Sequence, residues 1–277
     1  MEIKRQQIGC DDCHWSGFRV LEGETYARAE LCGCVDHCGR CGGSGSVLSQ
    51  KKSGYSYISP CSLCGVVRRN VKLYNLAGMP AKYSHVLQVD AGLDPRKINK
   101  SLQMALKYAK EEFVKKYPTK KGFLLMGPSG LGKTHIAIGT ISELTLYHGV
   151  RCMFKDFFYL LSELKQAYSE GTPENEVIVP LIETEVLVID ELGKGRSNEW
   201  ELNILDQLIS KRYNSSKKTV ITTNYISNDV AREIGEEKEI LELRIGERIA
   251  SRLYEMCEFM YLEGKDYRKE KRKSGFS

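Results

Sequence analysis

Residues Gly127-Pro128-Ser129-Gly130-Leu131-Gly132-Lys133-Thr134 follow a short apolar run, Phe123 to Met126. They fit G-x-x-x-x-G-K-T, and a helical pattern with apolar Ala137, Ile141 and Leu144 runs on to a stop at Gly149. A glycine loop between a strand and a helix aims successive backbone N–H groups at a polyphosphate. Lys133 is expected to add charge against the β and γ oxygens of ATP, and the Thr134 hydroxyl to ligate Mg²⁺. His135, next in the chain, is grouped with the nucleotide-binding residues. A chance glycine-rich turn does not account for the full motif in this context.

The second acidic element is VLVIDEL, Val186 to Leu192. Its apolar start suits a strand buried on both faces of a parallel sheet. Asp190 then falls at the C-terminal end, where α/β sheets place ligand groups. It is expected to hold Mg²⁺ through water, and Glu191 to polarise the attacking water as general base. A third strand, Thr219 to Thr223, ends in Asn224, which could orient that water. Taken alone, an asparagine there is a turn former.

Eight of the ten cysteines lie between Cys10 and Cys64. They form close pairs: Cys10/Cys13, Cys32/Cys34, Cys38/Cys41 and Cys61/Cys64. Two such pairs complete the tetrahedral sulfur shell zinc prefers, so two closed, structural Zn²⁺ sites are expected. Disulfides would need an oxidising compartment, and redox or iron–sulfur use is a further alternative. The gaps from Cys13 to Cys32 and from Cys41 to Cys61 suit two successive zinc ribbons. The segment CGRCGGSG, Cys38 to Gly45, resembles the repeat of DnaJ-type zinc domains, which implies nested pairing, first with last. The short connector from Cys34 to Cys38 leaves little room for facing knuckles and favours ribbons. His14 and His37 are bystanders in either scheme, since eight sulfurs fill two sites.

These groups need elements to hold them. A chain of 277 residues can bury one sizeable core. Its hydrophobic (42%) and charged (28%) fractions exclude wholesale disorder. No run approaches a membrane span, and the start MEIKRQQIGC lacks an export core, so a cytoplasmic protein is expected. Basic residues exceed acidic ones by five (41 against 36), which permits a polyanionic partner without demanding one. The cysteine-rich head, 1–75, has too thin a core to fold without metal. Residues 76–264 are the nucleotide domain and 265–277 a basic tail. Ile98, Leu102, Leu106, Ala109, Phe113 and Tyr117 predict a helix ended by Pro118. Asn198 opens another helix with a capping arrangement. Arg244, Arg248 and Arg252, four apart, would share one face if helical, although Gly246 weakens the first turn.

The ordered set GPSGLGKT, VLVIDEL, TTN and GERIASRLYEMC resembles the DnaC/IstB/DnaI group of AAA+ ATPases over roughly residues 75–270. AGMPAKYSHV, Ala77 to Val86, is similar to the lead-in of that group. The resemblance implies an α/β P-loop AAA+ core of three layers. Its five-stranded parallel sheet would have strand order 5-1-4-3-2 and a lid minimal or absent. It further implies ATP-dependent homo-oligomers, with Arg252 as arginine finger and Arg268 as the arginine that senses nucleotide. Single-stranded DNA would be bound through the helix at Asp156–Tyr168, with Phe157, Phe158 and Tyr159 stacking and Lys155 and Lys165 on phosphates. The bland reading of that helix is inward packing. Members of the group load the replicative DNA helicase or assist a transposase, and a zinc-bearing head favours the loader. A third reading makes the head an adaptor for nucleic acid or unfolded protein, with ATP as an assembly switch.

Overall fold

The computed structural model describes residues 10–93, 98–235, 239–267 and 269. Two compact units are present: Met1–His85 with Leu144–Arg151, and Val86–Glu143 with Cys152–Ser277. The expected head boundary near residue 75 lies inside the first unit.

In the first unit, β1 (Phe18–Glu22) pairs antiparallel with β2 (Ala27–Leu31), and β3 (Ser46–Gln50) with β4 (Ser56–Pro60). Helix α1 (Cys64–Leu76) follows directly. The apolar centre is small: Val35, Cys38, Cys61 and Cys64, with Val47, Leu63 and Val67 against them. Polar side chains supply much of the remaining cohesion. Asn75 acts as a surrogate strand edge, accepting from Ala29 N at 2.7 Å and donating to Ala29 O at 2.9 Å. Buried Asn70 donates to Leu146 O at 2.9 Å, and the rings of Phe18 and Tyr147 meet at 5.9 Å. The lead-in as far as His85 also belongs here. Ala27 N donates to Met79 O and Ala81 N to Thr25 O, at 2.8 and 3.0 Å.

The second unit is a five-stranded parallel sheet with flanking helices. Its strands are β5 (Gly122–Met126), β6 (Cys152–Asp156), β7 (Val186–Asp190), β8 (Lys218–Thr223) and β9 (Cys257–Tyr261). The spatial order is β6-β7-β8-β5-β9. Counted within this unit it reads 2-3-4-1-5, the expected 5-1-4-3-2 from the other edge. Strands β5 and β7 are buried throughout, as their continuous apolar runs require.

Asn99 caps α2 (Lys100–Lys107), which passes into a π-helical stretch over Tyr108–Val114. The single long helix expected there is thus two geometries, still burying Leu102, Leu106, Ala109 and Phe113. After β5 comes α3 (Lys133–Glu143), and after β6 come α4 (Phe157–Ser169) and α5 (Glu174–Glu183). Helix α6 (Glu199–Asn214) is capped by Asn198, which accepts from Glu201 N at 3.0 Å. Three helices precede β9: α7 (Asn228–Ile234), α8 (Leu241–Ile245) and α9 (Glu247–Met256). Gly246, at φ 84° and ψ 146°, separates α8 from α9. Arg244 therefore does not share a helical face with Arg248 and Arg252. It binds Gly193 O, Gly195 O and Tyr225 OH instead, and so holds the loop after β7.

Arg212 on α6 is fully buried, and sequence periodicity offered no warning of it. Its guanidinium donates to the carbonyls of Leu181, Ile182, Thr184 and Lys218 and to Thr219 Oγ1, tying α5 and α6 to the edge of β8. Burial pushes its pKa down to about 9. Cys152 and Cys257, the two cysteines outside the head, are buried free thiols. Among the described residues, no helix is long and apolar enough to cross a membrane.

Candidate functional site

The turn from β5 to α3 carries the phosphate loop. Gly130 and Gly132 have φ near +85°, which a residue with a Cβ adopts only at a cost, so glycine is required there. Buried Lys133 curls back beneath the loop. Its Nζ donates to Gly127 O at 2.6 Å, Pro128 O at 2.7 Å and Asn224 Oδ1 at 2.9 Å. The loop lysine and the residue closing β8 are thereby joined, because β5 and β8 are neighbours in the sheet. Pro128 and Ser129 are exposed at the crest, while Leu131 is buried.

Thr134 Oγ1 donates to Asp190 Oδ1 at 2.9 Å, so both expected Mg²⁺ ligands meet. Thr222 Oγ1 also donates to Asp190 and accepts from Glu191 N at 3.0 Å. Sequence reasoning missed Thr222. Its place beside Asp190 follows from the β7–β8 register, in which Ile189 pairs with Ile221. Burial raises the Asp190 pKa, the two hydroxyls offset part of this, and the charges of Glu191 and Asp156 raise it further. An ionised Asp190 thus costs the fold stability at pH values above its raised pKa, and a cation at this position would relieve that cost. The donor set, a hydroxyl and a carboxylate at a strand end with more carboxylates beside them, suits a hard divalent cation.

Glu191 sits at φ 55°, in the left-handed region, a conformation that costs roughly 1–3 kcal/mol for a non-glycine residue. The turn carries its carboxylate off the strand to an ion pair with Lys194. Glu201 holds the same loop from below, accepting from Arg196 N and Ser197 N, both at 2.9 Å.

The remaining expected residues lie further out. A ring nitrogen of His135 lies 2.6 Å from Ala91 O. Arg252 lies on α9, its Nη1 donating to Asp206 Oδ1 on α6 at 3.2 Å. Arg268 lies outside the described residues, although its neighbour Tyr267 donates to Gly130 O at 3.1 Å. On α4, Phe157 is buried while Phe158 and Tyr159 are exposed. The two lysines expected on phosphates are engaged: Lys155, on β6, pairs with Glu163 at 2.5 Å, and Lys165 Nζ, on α4, stands 5.0 Å over the Trp200 ring.

In the head, the thiols gather into two groups: Cys10, Cys13, Cys32 and Cys34, and Cys38, Cys41, Cys61 and Cys64. This is successive ribbon pairing, not nested pairing. The sulfurs within each group all lie within 4.8 Å of one another. Cys10–Cys32 is 3.4 Å, Cys13–Cys34 3.7 Å, Cys38–Cys61 3.9 Å and Cys41–Cys64 3.2 Å. Tetrahedral thiolates at zinc–sulfur distances would stand about 3.8 Å apart, so both groups fit the ion. Burial raises the Cys13 thiol, but N–H donation from Gly17 and the neighbouring thiols outweigh it, leaving a pKa of about 6. Cys41 is likewise brought to about 6, against its burial. Burial and the adjacent thiols push Cys34 and Cys64 up. Four crowded sulfurs cannot all ionise without a cation among them.

Replicative helicase loader DnaC of Escherichia coli K12 is 28% identical over 125 residues, 45% of this chain and 50% of that protein. A putative ATP-binding protein of insertion sequence IS5376 from Geobacillus stearothermophilus is 30% identical over 155 residues, 55% of this chain and 58% of its own. The chain thus spans about half the length of the curated relatives it matches. A crystal structure of the DnaC helicase loader superposes with TM-score 0.55 at 31% identity, over 66% of this chain and 99% of its own. The model of the family of IstB-like ATP binding proteins matches residues 67–275. That match takes in well over half of the sequence, and the chain therefore belongs to this family, a DnaC/IstB-like AAA+ ATPase in sequence and in fold.

Proposed function

We propose that the chain is an ATP-driven loader of a replicative DNA helicase, hydrolysing ATP as an oligomer on single-stranded DNA. One observation supports this above the others: the chain in a crystal structure of the DnaC helicase loader aligns over 99% of its length at 31% identity. Lys133 is the cation for the β and γ phosphates, and Thr134 with Asp190 would hold Mg²⁺. The bound metal would supply charge neutralisation between the phosphates. Glu191 takes the proton of the attacking water, with Asn224 orienting that water. The two thiol groups hold two structural zinc ions. Arg252 reaches a neighbouring subunit's ATP from α9.

A transposase helper is the second reading, favoured by the family model and by the insertion-sequence relative. Affinity capture with the tagged full chain and Mg·ATP discriminates. Recovery of a hexameric helicase supports the loader, and recovery of a transposase overturns it. Arg252→Ala is expected to bind ATP normally but lose about 10³-fold in hydrolysis at oligomer-forming concentrations. Parent-like phosphate release there would remove the trans-acting role.

A further inference from the structure

The charge of this chain is unevenly placed. Between Asp36 and Asp90 there are seven Lys and Arg residues, from Arg40 to Lys82, and no Asp or Glu. The rest of the chain holds 34 basic and 36 acidic residues, so the net positive charge resides in this one stretch. A zinc on the thiolates of Cys38, Cys41, Cys61 and Cys64 would take back about two charges, which still leaves the segment strongly basic.

The β3–β4 hairpin projects from the centre of that segment. Its turn carries Lys51 and Lys52, both exposed, and Tyr55, which is 77% exposed. Tyr57 is 46% exposed, with Lys51 Nζ 5.9 Å from its ring centroid. Leu48 and Ile58 pair across the strands, so both side chains lie on one face, 72% and 76% exposed. The opposite face carries Val47, which packs against the metal-side core, and, nearer the turn, the half-exposed Tyr57, so the hairpin is anchored at its base and open toward its turn. Large exposed apolar and aromatic groups, interleaved with lysines and free of carboxylates, match a strand of unstacked bases on a phosphate backbone. An acidic protein surface would satisfy the lysines but would give the two tyrosine faces nothing particular to stack on.

We propose that the β3–β4 hairpin is a nucleic-acid-binding element that holds single strands, with Tyr55 and Tyr57 stacking on bases and Lys51 and Lys52 meeting phosphates. It shares no residue with the α4 element or with the ATP site, so either can fail without the other.

The test uses the full zinc-loaded chain and a fluorescent 20-nucleotide oligothymidine, titrated by anisotropy at several salt concentrations. Lys51→Gln/Lys52→Gln should flatten the slope of log affinity against log salt by about 1.4, at roughly 0.7 for each phosphate that a lysine no longer neutralises. Tyr55→Ala should weaken binding about tenfold or more. Both variants should keep the parent's zinc content and its DNA-free ATP hydrolysis, since the substituted side chains are exposed. Unchanged affinity and slope overturn the proposal, as does a parent chain that binds no oligonucleotide. A loss confined to Phe158→Ala and Tyr159→Ala overturns it in favour of α4. Equal affinity and equal loss on a duplex of the same length overturn the single-strand assignment. Variants that keep DNA but release the helicase would make the hairpin a protein-docking surface, which also overturns it.

Discussion

Glu191→Gln is expected to bind Mg·ATP as the parent does and to hydrolyse it about 10²–10⁴-fold more slowly, the range that a positioned general base contributes. Glutamine keeps the length and shape of the side chain but cannot take a proton. It should not disturb the phosphate loop, because the Glu191 backbone is placed by Thr222 Oγ1 and its side chain reaches only Lys194 among its described partners. Asp190 stays in contact with Thr134 and Thr222. Binding is read with a fluorescent ATP analogue and turnover by phosphate release. Parent-like turnover would remove Glu191 from the base role.

Removing metal is expected to unfold the head and spare the nucleotide domain. The parent should carry two zinc ions per chain, and structural zinc contributes roughly 10–16 kcal/mol of apparent binding energy in small domains that fold with it. The apolar centre around Val35, Cys38, Cys61 and Cys64 is too small to replace that. Limited proteolysis after chelation should therefore cut within residues 10–85 and leave the sheet intact. A sharper version uses ligand pairs. Cys10→Ser/Cys32→Ser strips two ligands from one group and none from the other, so one zinc should remain. Under nested pairing the same variant would damage both sites, and zinc content would fall toward none. A head that stays folded and protease-resistant without metal would overturn the structural role.

Motifs whose chemistry is local were legible before any fold was known. The phosphate loop needs glycines at positive φ, a lysine and a hydroxyl within a few residues, all supplied by neighbours in the chain. The same holds for the Asn198 cap and for the close cysteine pairs, which set up half a metal site each. The apolar run of β7 announced a doubly covered parallel sheet because burial on both faces leaves no room for alternation. The helix expected to present Arg244, Arg248 and Arg252 together failed for an equally local reason, one glycine at φ 84°.

Tertiary structure alone decided the rest. Which thiol pairs share a centre depends on how β1–β4 and the turns between them fold back, and spacing allowed two answers. Thr222 reaches Asp190, and Lys133 reaches Asn224, because β8 lies between β7 and β5, an order unrelated to chain order. The grouping of Leu144–Arg151 with the head, and the burial of Arg212 among carbonyls of α5 and β8, also arise from distant pieces meeting. Backbone conformation and hydrophobic period act over a few residues and are written in the chain. Contacts between strands and helices far apart in sequence are set by the packing of whole layers, and no short window of residues records them.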